Sequence, residues 1–114
     1  DFGDLTVGCY SPAGLSSETR GVIFGGTIAS NTINNIEYIT IDTTGNATDF
    51  GDLSSIRSGM TGGLTNNTRG VMAGGSSASG RSNVIEYITI DTTGNATDFG
   101  DITLARSAAG GVSG

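Results

Sequence analysis

The string IEYITIDTTGNATDFGD occurs twice in this chain, at residues 36–52 and again at 85–101, and its last letters open the chain as DFGDL at residues 1–5. Self-similarity of this length restricts the fold to stacked copies of one supersecondary unit, because such a unit cannot bury its apolar face alone. The offsets from Asp1 to Asp49 and Asp98 set a period of about 48 residues. The chain therefore holds two full units and pieces of their neighbours: 1–5 ends one unit, 6–53 and 54–102 are complete, and 103–114 begins another.

Within the repeated string, Ile36, Tyr38 and Thr40 fall on one side of an extended backbone and Glu37, Ile39 and Ile41 on the other. The β-branched and aromatic content suits a pleated, largely buried strand. Thr43, Thr44, Gly45 and Asn46 supply turn chemistry, since Gly and Asn tolerate the positive φ of tight hairpins. Residues 47–50 read as the returning strand, anchored by Phe50, and Gly51-Asp52 breaks the run. The same reading applies to Asp91, Gly94 and Asn95 in the second copy, with strand 84–90 returning at 96–99.

The remainder of each unit follows one order. In the first, residues 6–17 hold a strand around Gly14 and Leu15. RGVIF at 20–24 is a short strand ended by Gly25-Gly26, and 27–35 is a polar loop. In the second, 59–65 is a small-residue strand, Asn66-Asn67 a turn, RGVMA at 69–73 a strand ended by Gly74-Gly75, and 76–83 a polar loop. Residues 106–114 read as the inner strand of a further unit. Each unit is thus four short antiparallel strands, the spacing of a propeller blade. The predicted class is all-β.

Composition agrees with a turn-rich β protein. The 114 residues include 20 Gly, one Pro and no Trp, and no window sustains an apolar i, i+3, i+4 pattern. Net charge is −6, and the five cations are the dispersed arginines 20, 57, 69, 81 and 106. A nucleic-acid footprint needs a basic stripe, so none is expected. No apolar run is long enough for a membrane-spanning helix. The single Cys9 excludes a disulfide within the chain and reads as a small buried apolar residue.

The ordering of small-residue strand, strand ending in Gly-Gly, loop, strand ending in an Asp turn, last strand and Arg resembles the kelch repeat. Gly25-Gly26 and Gly74-Gly75 match its double glycine, and Arg57 and Arg106 its basic residue at the start of the next unit. Cys9 replaces that residue in the first copy. Ile41-Asp42 and Ile90-Asp91 stand where the family has Tyr-Asp, and Thr48 and Thr97 where it has Trp. The resemblance implies a kelch-like β-propeller. The wording EYITIDTTGNATDFGDL with TRGV is also similar to repeats of structural proteins from marine phages and environmental viral sequences. That likeness implies a virion or extracellular location.

Asp42, Asp49 and Asp52 with the intervening Thr, Gly and Asn offer oxygens suited to calcium, but without the dense spacing of a dedicated loop, so Asx-stabilised turns are the expected use. The turn also resembles the Asp-box of sialidase-like propellers. Asn46, Asn66 and Asn95 begin glycosylation sequons, read here as turn residues. No His is present, and the acids recur in every unit, whereas catalysis needs one asymmetric site; no catalytic, cofactor or metal residue is expected. The copies differ in their polar loops, 27–35 against 76–83, and in the segments between units, 6–17 against 54–65, and such loops on a rigid scaffold are used for binding. Thr27, Ser30, Asn31 and Asn34, with Ser76, Ser77, Ser79, Arg81 and Asn83, are the candidate ligand contacts. The expected function is a structural or adhesion module that binds a glycan or protein receptor. The alternative is a fragment of a carbohydrate-active enzyme whose catalytic residues lie in other blades. Two blades leave faces uncovered, here those carrying Ile39, Ile41 and Phe50. Partners are therefore expected in further blades of a longer chain or in a homo-oligomer.

Overall fold

The computed structural model describes residues 1–108 and Gly110. Strands β1 (Ala13–Ser16), β2 (Arg20–Phe24), β5 (Asn35–Thr40) and β6 (Thr48–Asp52) form the first blade, and a small hairpin of β3 (Thr27–Ile28) and β4 (Asn31–Thr32) interrupts it. The second blade repeats this with β7 (Leu64–Thr65), β8 (Arg69–Ala73), β11 (Val84–Thr89) and β12 (Thr97–Asp101), around the hairpin of β9 (Ser76–Ser77) and β10 (Gly80–Arg81). Every pairing between these strands is antiparallel, and sheet orders are β1-β2-β5-β6 and β12-β11-β8-β7. No helix occurs among the described residues.

The long β-branched strands are central, as their composition requires. β5 pairs on both sides, with Val22↔Tyr38 and Phe24↔Ile36 toward β2 and Tyr38↔Thr48 toward β6. The returning strand differs from expectation. It starts at Thr48 and runs through Gly51 to Asp52, so the Gly-Asp pair continues the strand instead of ending it. A bulge explains this: Ile36 faces Gly51 while Glu37 faces Asp49, leaving Phe50 as the extra residue. The bulge turns Phe50 onto the Tyr38 face, ring centroids 6.0 Å apart and edge-on.

The turn between β5 and β6 is also looser than a tight hairpin. Residues 41–47 form a broad loop whose first turn closes with the Thr43 amide donating to the Thr40 carbonyl. The polar loops are more ordered than expected, since each contains a hairpin. The inner strand expected over 59–65 shrinks to Leu64–Thr65. Its preceding residue is diverted, because the Gly63 amide donates to Gly14 of the neighbouring blade. The strand expected over 106–114 falls mostly outside the described residues.

The core lies between the blades. Leu15, Val22, Phe24, Ile36 and Phe50 of the first blade pack against Met60, Met72, Ile88 and Ile90 of the second, and all are buried. The front face of one sheet thus covers the back face of the next. Phe50, expected to be exposed, is 3% accessible. Its counterpart Phe99, in the same local sequence, is 55% accessible.

Candidate functional site

The most heavily built place in the molecule is the junction between repeats. Its first part is a backbone contact. The Gly94 and Ala96 amides donate to the Phe50 and Asp52 carbonyls, both at hydrogen-bonding distance (2.8 and 2.9 Å), so the loop after β11 runs parallel to β6 of the preceding blade. The Asp52 amide donates in return to Asn95 Oδ1 at 3.0 Å. The same three bonds recur between Gly45, Asn46 and Ala47 and the opening residues Phe2 and Asp4. Asn46 and Asn95 therefore serve across repeats, with no positive φ of their own. Approach is close: a Cβ on Gly51 would sit 2.4 Å from the Gly94 carbonyl oxygen. That contact, with φ at +149°, requires glycine there.

The second part is Arg57. Its backbone belongs to the first blade, where its amide donates to the Ile33 carbonyl and its carbonyl accepts from Gly26. Its side chain belongs to the second. Nη1 donates to the carbonyls of Gly74 and Val84, and Nη2 pairs with the Glu86 carboxylate. Arg57 is 1% exposed and Glu86 0%. The Ser54 amide also donates to Glu86. The double glycine makes room for this linker: a Cβ on Gly25 would meet the Arg57 carbonyl oxygen at 2.4 Å, and the residue sits at φ +64°.

A third contact comes from Arg20, which lies 4.1 Å over the Tyr38 ring and donates from Nη1 to the Ile90 carbonyl of the next blade at 2.8 Å. Arg69 lies likewise over Tyr87, at 4.2 Å.

The first copy departs from this plan. Cys9 occupies the place of Arg57, since Sγ sits against Gly26 as the Arg57 Cβ sits against Gly75. Glu37, the counterpart of Glu86, is 4% exposed and accepts from the amide and hydroxyl of Thr6. Among the described residues it meets no cation. Cys9 is only half-buried, not fully enclosed as its type suggests. Burial, and then the neighbouring Glu37 charge, push its thiol above the ordinary value.

Of the candidate ligand residues, Ser30, Asn31, Ser79, Arg81 and Asn83 are exposed, and Asn34, Ser76 and Ser77 are partly so. Thr27 is buried, because it pairs with Thr32 and its amide bonds to Tyr10, so its side chain is withdrawn from the surface. Ser77, Ser79, Arg81 and Asn83 line one cleft of about 340 Å³ together with Ser55 and Ile56. The loop after each Gly-Gly lies beside the linker entering the blade, through the bridges Tyr10↔Thr27 and Ser58↔Ser76. Asp42 and Asp91 lie exposed on the loops after β5 and β11. Among the described residues no three His, Cys, Asp or Glu side chains gather at one point.

The reading from sequence missed Glu37 and Glu86. The available signal was an acid in the middle of an otherwise apolar strand in both copies. Fold and junction together define a class: an all-β repeat protein of four-stranded antiparallel blades, locked by a recurring set of backbone contacts and one buried ion pair. No protein-family model matches the chain, and no curated protein matches it.

Proposed function

We propose that this chain is a kelch-like structural and adhesion module of an extracellular particle or appendage, of the tail-fibre type. Its scaffold stacks blade on blade, and its loops bind a surface glycan or protein. The observation that carries this reading is the division of labour within each repeat. The residues that recur are consumed in joining blades: Gly51 by close backbone approach, Asn95 by its side-chain oxygen accepting from the Asp52 amide, Arg57 and Glu86 by charge. The polar hairpins differ between copies, and their Ser30, Asn31, Ser79 and Arg81 face solvent. A rigid repeated frame with variable exposed loops is the arrangement that repeat proteins use for recognition. The cleft beside Arg81 has hydroxyl, amide and guanidinium groups without catalytic pairing, which suits hydrogen bonding to sugar hydroxyls.

A glycan array followed by titration of the best hit tests this. Replacing Ser79 and Arg81 with Ala should weaken binding at least tenfold, about 1.4 kcal/mol. Replacing Thr43 and Thr44, on the opposite loop, should leave it unchanged. Equal losses from both pairs would refute the loop assignment.

A further inference from the structure

Among the described residues, each junction feature has one unmatched half at each end of the two blades. At the second blade's front, Leu64, Val71, Ala73, Ile85, Phe99 and Ile102 line an open apolar cleft of about 710 Å³. In the first blade the equivalent face is covered by its neighbour. Among the described residues a Cβ on Gly100 would meet nothing within 4 Å, whereas those on Gly3 and Gly51 would collide with the next loop's carbonyl. Arg106, the counterpart of Arg57, is exposed; its Nε donates to the Leu104 carbonyl, and it meets no carboxylate among the described residues. At the other end stand Glu37, buried and without a cation among the described residues, and a back face with Ile23, Ile39 and Ile41 in the positions of Met72, Ile88 and Ile90.

Residues 1–10 fill part of that second end. They read DFGDLTVGCY, and residues 98–107 read DFGDITLARS. The two segments share the sequence DFGD and a threonine at the position of Thr6, which bonds Glu37, and at the cation position Cys9 stands against Arg106. The C-terminal segment is therefore the better match for the place the N-terminal one occupies.

We propose that copies of this chain join head to tail by strand exchange, residues 98–107 of one copy replacing residues 1–10 of the next. Arg106 then pairs with Glu37 of the next copy, as Arg57 pairs with Glu86 within the chain. Phe99 and the cleft around it are covered by the back face carrying Ile23 and Ile39. The contact is heterologous, so it propagates into a ring or a filament. This deepens the scaffold reading and rests on it. The recognising chemistry is a second copy of the same chain: an exposed cation and apolar face on one end, a buried anion and apolar face on the other.

Sedimentation velocity over a concentration series tests the exchange, with Arg106→Gln and Gly100→Ala alongside the unaltered chain. Arg106 is exposed in the single chain, so its replacement leaves the fold intact. It should weaken association roughly tenfold or more, as loss of one member of a desolvated ion pair does. The Gly100→Ala methyl would strike the next copy's Gly45 carbonyl and should block association. Displacing residues 1–10 also frees Cys9, so its reaction rate with a disulfide reagent should rise with protein concentration, and should not in Arg106→Gln. A chain that stays monomeric throughout would overturn the proposal. So would unchanged association of Arg106→Gln, or Cys9 reactivity independent of concentration. Glycan binding per copy is read from the Arg81 loop, so the two readings fail separately.

Discussion

Replacing Arg57 with Ala isolates the strongest element of the junction. The substitution removes both donors to the Gly74 and Val84 carbonyls and leaves the Glu86 carboxylate, 0% exposed, without its cation. Breaking a buried pair by deleting one partner costs about 3–5 kcal/mol. Total stability of a domain is about 5–15 kcal/mol, so this one change removes a large share of it. Near this chain length each kcal/mol shifts the melting midpoint by roughly 4 °C, giving a drop of roughly 12–20 °C. Urea unfolding followed by circular dichroism, on dilute monomer, should show a lower midpoint with an unchanged slope. The double change Arg57→Met with Glu86→Leu separates charge from packing: it should recover most of the loss, because the uncompensated carboxylate is gone. A loss below about 1 kcal/mol for Arg57→Ala would refute the idea that this pair locks the blades. A double variant as unstable as the single one would refute the electrostatic account of it.

Two further outcomes follow from the geometry. Gly51→Ala and Gly100→Ala share a backbone conformation, φ +149° and +146°, but only the first places a methyl 2.4 Å from a neighbouring carbonyl oxygen. Gly51→Ala should therefore be less stable than Gly100→Ala by about 1–3 kcal/mol in denaturant titrations of monomer, the cost of overpacking beyond the shared strain. For Cys9, the folded thiol binds its proton more tightly than the unfolded one, owing first to burial and then to Glu37. Its contribution to stability is complete below the unfolded thiol value of about 8.5 and is lost as pH rises through the folded value. Stability measured from pH 7 to 10 should fall more steeply in the unaltered chain than in Cys9→Ser, and parallel curves would refute the coupling.

Much of the blade was legible in the chain itself. The repeat period, the alternating apolar strands and the paired glycines are local patterns, and local sterics and solvation act on them directly. They specify the order of the four blade strands and place the polar loops after Gly26 and Gly75, but not the short hairpins inside those loops. The exposure of Ser30, Asn31, Ser79, Arg81 and Asn83 was legible for the same reason, whereas backbone pairing drew Thr27 inward.

The junction was not legible, because its partners are far apart in sequence and meet only when blades stack. Asn95 looks like a turn residue until its side chain is seen to accept from Asp52, and Arg57 looks like a solvated cation until Glu86 is found beside it. The clearest case is the phenylalanine of the repeated string. Phe50 and Phe99 share their neighbours in sequence, both sit edge-on to a tyrosine, and yet one is 3% exposed and the other 55%. The local sequence set the strand, the bulge and the aromatic pair in both copies. Burial was decided by whether another blade lies across the face, since removal of apolar surface from water depends on what is packed against it and not on the residues that precede and follow it.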